Sequence, residues 1–362
     1  MTKLNAITLP NGATLRNPLM MAPMTTQLSF YNGQVTKDEI EYYANRAKDV
    51  GAVIVGAANV QAVGKGWHGE LGIYDDSFLP GLSQLAKEIK ARGAKAIIQI
   101  FHAGRMTNRD ILSGEQPVSA SAVPALRPNA ETPRELSQEE IIQLIEDFKL
   151  ATRRAIQAGF DGVEIHGANT YIIQQFFSPH SNRRTDEWGG TQEKRFKFIN
   201  DLVDGILQTV ADFSNQEFIV GYRFSPEEFE DPGLRMDDCF YLLEHLSQKK
   251  LDYLHLSTND YNRISQEEAY ANKSILNYVS KHLNKKVPLV GVGGVETIEH
   301  VEDILQHAQL VAVGRSLIHD PDWAGKILRG NSTTRLKELG FDLEQYYKYG
   351  LWQFVQSFRL DK

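Results

Sequence analysis

One cysteine, Cys239, is the entire thiol inventory of this 362-residue chain. An intrachain disulfide is therefore excluded, and an iron–sulfur cluster or a cysteine-based zinc site would need several more thiolates. No uninterrupted apolar run approaches membrane-spanning length. The opening Met1-Thr2-Lys3-Leu4-Asn5 has no apolar stretch of the kind a signal peptide carries. No run of Lys or Arg stands out, and 39 basic against 46 acidic side chains give a formal charge of −7, which argues against a nucleic-acid partner. Two reactive signatures are missing as well: the GxGxxG dinucleotide fingerprint and the GxSxG nucleophile elbow. Metal binding has little support, since no second histidine stands at helical spacing from His166 and no carboxylate-rich set accompanies it. These absences point to a soluble, cytoplasmic protein rather than one that binds nucleic acid or spans a membrane.

What remains is an ordinary globular composition, 42% hydrophobic and 23% charged, with no charged or Gly/Ser linker to divide it. Ile7–Leu15 reads as a hairpin turning at Asn11-Gly12. Strand-like and helix-like segments then alternate. Strands are expected near Leu19–Met24, Ala52–Val55, Ala96–Phe101, Gly162–His166, Glu217–Phe224, Tyr253–Ser257, Val287–Val292 and Leu310–Val313. Thr36 with Glu39, and Ser137 with Glu140, have capping-box spacing at helix starts, and Gly159 is placed to stop the second of these helices. Eight such units form either a closed barrel or an open doubly wound sheet, and polar residues at several strand ends favour the (β/α)8 TIM barrel. The expected organisation is one domain: a hairpin lid at about 4–16, a barrel at about 17–330, and a C-terminal extension over 331–362. The Pro- and Ser-rich stretch Thr107–Glu135 has the length of an active-site or lid loop. The aromatic tail Tyr346–Phe354 reads as packing or subunit contact, which leaves a homo-oligomer open.

Three groups of residues carry chemistry. The strand Gly162–His166 alternates so that Val163 and Ile165 face one way and Glu164 and His166 the other. His166, Asn169 and Tyr171 then gather at its C-terminal end, where barrel active sites lie. They could bind a substrate oxygen and supply a proton, or form a satisfied buried network. Val290-Gly291-Val292-Gly293-Gly294 and Val311-Ala312-Val313-Gly314-Arg315 follow the last two strands. Each alone could be a tight turn; together they suggest a phosphate site, since glycines let backbone N–H groups approach an anion. Gln99 and Arg223 are polar residues inside apolar strands, which is costly without partners. Arg223 is either a member of a structural salt bridge or, together with Gln99, a binder of a heterocycle bearing carbonyls and ring nitrogens.

Taken in order, these residues resemble the Old Yellow Enzyme family of flavin-dependent ene-reductases. The likeness runs from about Asn17 to Arg329. It is carried by Arg16-Asn17-Pro18 with Met21–Thr25, by Gln99–Arg105, and by the stretch from Phe160 through His166, Asn169 and Tyr171 to Ser178-Pro179 and Arg184–Gly190. The resemblance implies FMN on the barrel, reduced by NADH or NADPH. By position Pro23, Met24, Thr25, Ala57, Gln99 and Arg223 would contact its ring and ribityl chain, while Gly293, Gly294, Gly314 and Arg315 would hold its phosphate. His166 and Asn169 would clamp the carbonyl oxygen of an α,β-unsaturated substrate, Phe101 would line the pocket, and Tyr171 would protonate the α-carbon as hydride reaches the β-carbon. Nicotinamide and alkene would use one flavin face in turn, giving ping-pong kinetics. Glu164, lower on the same face, would be structural.

This chain also departs from the family pattern. Thr25 stands where many bacterial relatives have cysteine, Gln27 replaces a common tyrosine, and Asn169 stands where some relatives have a second histidine. The cysteine cluster and second dinucleotide domain of larger relatives are not expected here. Two other readings of the phosphate-binding barrel are a flavin-free lyase or isomerase and a catalytically silent flavin-binding protein.

Overall fold

The computed structural model describes residues 4–214 and 217–333, so the aromatic tail lies outside the described residues. Eight strands of the nine-stranded central sheet form the barrel: β1 (Leu19–Met21), β2 (Ala52–Asn59), β3 (Lys95–Phe101), β4 (Gly162–Gly167), β5 (Ile219–Phe224), β6 (Tyr253–Leu256), β7 (Leu289–Val292) and β8 (Leu310–Val313); the ninth, the short Leu71–Gly72, pairs with the end of β2. The eight pair in parallel in sequence order, and β8 pairs with β1 while β1 pairs with β2, so the sheet closes into a (β/α)8 barrel. Around it run α1 (Lys37–Arg46), α2 (Leu79–Ala91), α3 (Gln138–Gln157), α4 (Ile172–Phe177), α5 (Gln192–Phe213), α6 (Met236–Leu246), α7 (Ile275–Leu283), α8 (Ile298–Leu305), α9 (Arg315–His319) and α10 (Trp323–Arg329). Among the described residues no helix is long and apolar enough to cross a membrane.

Strand alternation sorts the core into two parts. Val53, Val55, Val163, Ile165, Val311 and Val313 point outward and pack with the apolar faces of the helices. Ile54, Ile97, Ile219, Val290 and Leu310 point inward, where they meet Leu9, Ala13 and Leu15. The hairpin that supplies those three residues pairs Ile7–Thr8 with Thr14–Leu15. Asn11 N donates to Asp252 Oδ1 at the entrance to β6, so the hairpin plugs the N-terminal end of the barrel, opposite the strand ends that carry the polar residues.

The two capping-box sequences behave differently. Ser137 Oγ accepts from Glu140 N while the Glu140 carboxylate accepts from Ser137 N, a complete box. Thr36 Oγ1 accepts from Glu39 N, but the Glu39 carboxyl turns inward to Thr26 Oγ1 (3.1 Å) and Ser29 Oγ (2.6 Å). Those hydroxyls lie on the loop after β1, so the carboxyl holds that loop instead of completing the box, while Thr36 still caps the helix. Glu39 is 1% exposed, and burial pushes its carboxyl up to about 7 against the hydroxyl hydrogen bonds that lower it.

The sign of the pH effect follows. Between pH 4.5 and 7 the folded state holds a proton here that the unfolded chain has released, so this group's stabilisation is full below 4.5 and gone above 7. At about 1.4 kcal/mol per tenfold change in proton affinity, the loss is on the order of 3 kcal/mol. Glu39→Gln is expected to match the parent at pH 5 and to be the more stable protein at pH 8 in urea unfolding. Parallel pH profiles for the two proteins would refute the assignment.

The long segment after β3 is tied down at several points. Arg105, 1% exposed, donates Nη1 to the carbonyls of Val123 and Pro124. Arg184 donates Nη1 to Ala120 O and Leu136 O while its other nitrogens grip Asp186. The Arg184–Gly190 motif therefore serves as a buried clasp for this loop.

Candidate active site

At the C-terminal end of the barrel lies a cavity of about 510 Å³, within the roughly 300–1,000 Å³ usual for cofactor and small-molecule sites. Every residue singled out from the sequence lines it: Pro23, Met24, Thr25, Ala57, Gln99, Phe101, His166, Asn169, Tyr171, Arg223, Gly293, Gly294, Gly314 and Arg315.

Its floor is a buried polar layer. Glu164 is fully buried and accepts from Gln99 Nε2 (2.6 Å), Tyr253 Oη (3.0 Å) and His255 Nδ1 (2.9 Å). Burial opposes its charge, but His255, Arg223 and Gln99 together outweigh that and keep the carboxyl below the usual carboxylate range. With the Gln99 amide nitrogen engaged, its carbonyl oxygen is left for the cavity. Arg223 is 9% exposed, and its Nε finds no partner among the described residues. A buried guanidinium donor left unpaired costs stability, and it marks a place where a ligand acceptor fits. Burial lowers the Arg223 pKa while Glu164 opposes that change.

The side of the cavity is shaped by backbone. The register between β2 and β3 shifts between Val55 and Ala58, and this bulge brings Ala57 to the cavity. A Cβ on Gly56 would lie 2.5 Å from Met24 N and 2.8 Å from the Pro23 carbonyl carbon, so only glycine lets those residues cross over the strand. Tyr43 Oη accepts from Gly56 N (3.2 Å), pinning the crossing from α1.

At the opposite end Gly293 has φ +118° and Gly294 φ +65°. A Cβ on Gly293 would meet the Asp260 backbone at 2.7–2.8 Å. Gly314 caps α9, Arg315 opens it, and the Arg315 guanidinium donates to Asn259 O (3.4 Å). Two glycine turns, a helix start and an arginine converge there, a donor-rich cradle suited to a phosphate.

The three polar residues at the end of β4 and just beyond it are oriented in part by neighbours that the sequence reading did not name. His166 Nδ1 accepts from Ala168 N (3.3 Å), which leaves the proton on Nε2. Burial first, then Arg223 and His255, depress its pKa well below 6.5, so the ring is a neutral donor at physiological pH. Asn169 Oδ1 accepts from Ser257 Oγ (2.8 Å), leaving the Asn169 NH₂ as its donor face. Asn169 and Thr170 both sit in the left-handed region, at φ 56° and 62°. Asparagine tolerates that conformation, whereas β-branched Thr170 is strained by about 1–2 kcal/mol. Gln174 and Gln175 hold the Thr170 backbone N–H and carbonyl, at 3.1 and 2.6 Å. The Tyr171 ring packs edge-to-face on Phe101 (4.7 Å between centroids) and His166 (4.9 Å). Burial chiefly, with Glu70 nearby, raises its pKa, so the phenol keeps its proton.

The sequence model of the NADH:flavin oxidoreductase / NADH oxidase family matches residues 5–334. The chain belongs to that family. It is 44% identical over 98% of its length to the NADH:acrylate oxidoreductase of Vibrio harveyi, covering 36% of that protein. To the NADH:fumarate oxidoreductase of Klebsiella pneumoniae (strain 342) it is 44% identical over 97% of its length, covering 38% of that protein. The chain thus spans little more than a third of these two relatives. With the "Probable NADH-dependent flavin oxidoreductase YqiG" of Bacillus subtilis (strain 168) it shares 39% identity over 96% of this chain and 94% of that one. Among solved structures, morphinone reductase superimposes with a TM-score of 0.78 at 26% identity, covering 92% of this chain and 90% of that one. The old yellow enzyme homologue from Zymomonas mobilis gives 0.80 at 26% identity, over 96% of this chain and 99% of that one. The resemblance to Old Yellow Enzyme read from the sequence motifs is therefore correct, and so is the TIM barrel.

For a member of this family, the cavity holds further residues that sequence reasoning missed: Trp67, Thr258, Asn259 and Ser316. No local signal marks Trp67, which stands in the glycine-rich run Gly64–Gly69 with no periodicity around it.

Proposed function

We propose that this protein is an FMN-dependent oxidoreductase that uses NADH or NADPH to reduce the C=C bond of α,β-unsaturated carbonyl compounds, with the two substrates alternating at one site. The observation carrying this reading is the arrangement of donors in a single cavity. Neutral His166, the Asn169 amide and the Tyr171 phenol gather at one side, the unpaired Arg223 and the Gln99 carbonyl lie on the floor, and a glycine-and-arginine cradle lies at the far end.

FMN fits those residues: Gly293, Gly294, Gly314 and Arg315 would hold its phosphate. Gln99 and Arg223 would pair with polar edges of its ring, and Pro23, Met24, Thr25 and Ala57 would lie along it. Bound there, it would supply the two-electron carrier between nicotinamide and alkene. His166 Nε2–H and the Asn169 NH₂ would donate to the substrate carbonyl, more strongly as negative charge grows on that oxygen. Because Nδ1 of His166 and Oδ1 of Asn169 are already engaged, neither donor must reorient to do so. Tyr171 would give its proton to the α-carbon. Phe101, whose ring meets Tyr171 at 4.7 Å, would keep water from competing for it on that side.

The test is direct. Purified protein should carry or take up FMN, bleach with NADH or NADPH in the absence of air, and recover its colour on adding 2-cyclohexenone, acrylate or fumarate. The last two appear in the names of relatives and belong to the same chemical class. Initial rates should give parallel double-reciprocal lines. A colourless protein that FMN cannot reconstitute, or intersecting lines, would overturn the corresponding part.

A further inference from the structure

One wall of the cavity comes from the segment after β2 and owes nothing to the strand ends. Trp67 stacks on Phe101 with centroids 6.2 Å apart and planes 24° apart, and meets Tyr171 edge-on at 6.0 Å. Trp67, Phe101 and Tyr171 thus make a corner of three rings.

Trp67 has no slack in its backbone. Gly66 N donates to the Glu70 carboxyl, at 3.1 Å to Oε2, and Glu70 N donates to Trp67 O at 3.3 Å. A Cβ on Gly66 would stand 3.0 Å from Glu70 Oε2 and 3.3 Å from Phe101 Cζ. On the far side Gly69 has φ +70°, its carbonyl accepts from Ser29 N (3.1 Å), and a Cβ there would lie 2.5 Å from Gln27 O. Ala103 N donates to Gly64 O at 2.8 Å, anchoring the start of the segment beside β3.

Glu70 itself is fully buried and makes no ion pair among those the structure records. Burial raises its pKa well above the usual carboxylate value, and both its oxygens accept from Gly66 N. A buried carboxyl of that kind is costly to keep, and none of the proposed chemistry uses it. Its one structural effect is to close the turn that carries Trp67.

We propose that Trp67 sets the size limit for the alkene at its α-carbon, and that Glu70 is the positioning residue that holds Trp67 in place. The inference rests on the function proposed above. An α-carbon that takes the Tyr171 proton shares with Tyr171 the space bounded by Trp67 and Phe101, so branching at that carbon runs into the indole. Misfit of a single methylene in an apolar pocket changes discrimination by roughly 10–200-fold.

The experiment compares kcat/KM for 2-cyclohexenone and 2-tert-butyl-2-cyclohexenone in the parent, Trp67→Ala, Trp67→Phe, Glu70→Gln and Glu70→Ala. Trp67→Ala is expected to raise the branched-to-unbranched ratio by at least about tenfold, mainly through KM, with Trp67→Phe intermediate. Glu70→Gln keeps an acceptor for Gly66 N and should hold the parent ratio, while Glu70→Ala should move it toward that of Trp67→Ala. An unchanged ratio in Trp67→Ala overturns the size limit, and a parent-like ratio in folded Glu70→Ala overturns the role of Glu70. If Glu70→Ala does not fold, Glu70→Met, which keeps the bulk but offers Gly66 N no acceptor, takes its place: a ratio shifted toward that of Trp67→Ala supports the role and a parent-like one overturns it.

Titration of the flavin-loaded proteins with cyclohexanone and 2-tert-butylcyclohexanone, read by flavin absorbance, separates this inference from the function itself. If the parent reduces no alkene, the function fails. A selective gain of affinity for the branched ketone in Trp67→Ala would still support the wall, and its absence would overturn it.

Discussion

Replacing Tyr171 by phenylalanine is expected to slow alkene reduction by about 10²–10⁴-fold, the usual worth of a positioned general acid. Reduction of the flavin by NADH should stay close to the parent rate. The change removes one oxygen and leaves the ring, which keeps its edge-to-face contacts with Phe101 and His166 at 4.7 and 4.9 Å and with Trp67 at 6.0 Å. The hydroxyl makes no recorded hydrogen bond among the described residues, so its loss leaves no buried partner unsatisfied and should cost little stability. What disappears is a proton held on oxygen by burial, the one that the proposed function delivers to the α-carbon. Stopped-flow measurement of the two half-reactions separates the effects. Parent-like alkene turnover in the variant would remove Tyr171 from the chemistry.

Gly293→Val should abolish flavin retention. A Cβ at this position falls 2.7–2.8 Å from backbone atoms of Asp260, and φ +118° lies in a region that side-chain-bearing residues rarely adopt. Neither problem can be relieved by a rotamer, because the obstruction is backbone. The turn must move, and with it the N–H groups aimed at the phosphate cradle. Strain of this kind costs about 1–3 kcal/mol, small enough for a barrel of this size to stay folded. The expected result is a colourless protein with a native far-UV circular dichroism spectrum and FMN affinity lowered at least about a hundredfold, the equivalent of about 2.7 kcal/mol. Gly294→Ala is the milder companion: its Cβ would meet nothing closer than Asn259 O at 3.9 Å, and only the φ of +65° opposes it. If Gly293→Val keeps its yellow colour through gel filtration, the phosphate lies elsewhere.

Much of the site was legible along the chain because barrel architecture converts sequence position into spatial position. A residue at the C-terminal end of any of the eight strands must face the same cavity, so Gln99, His166, Arg223, Gly293 and Gly314 could be grouped without any contact information. Glu164 could be judged structural because alternation places it one layer below His166, and the structure gives it three hydrogen-bond donors there. Residues whose position depends on chain that leaves the strands were not legible in this way. Ser257 orients Asn169 across 88 residues, and Trp67 reaches the cavity only because Glu70, Gly69 and Gly64 fold its segment back onto Phe101. Glu39 shows the same limit in reverse. Its spacing from Thr36 is that of a capping box, but two hydroxyls from another loop compete successfully for its carboxyl.

The sequence by itself determined the alternating strands and helices, the closed parallel barrel they build, and the set of groups delivered to its C-terminal end. Period-two alternation and glycine placement are local properties, and they repeat at each unit. The tertiary structure alone decided which nitrogen of His166 carries the proton, which end of the Asn169 amide faces the cavity, and how close the aromatic wall stands to Tyr171. Each of these is set by a hydrogen bond or ring contact from a distant segment, and no local pattern encodes them.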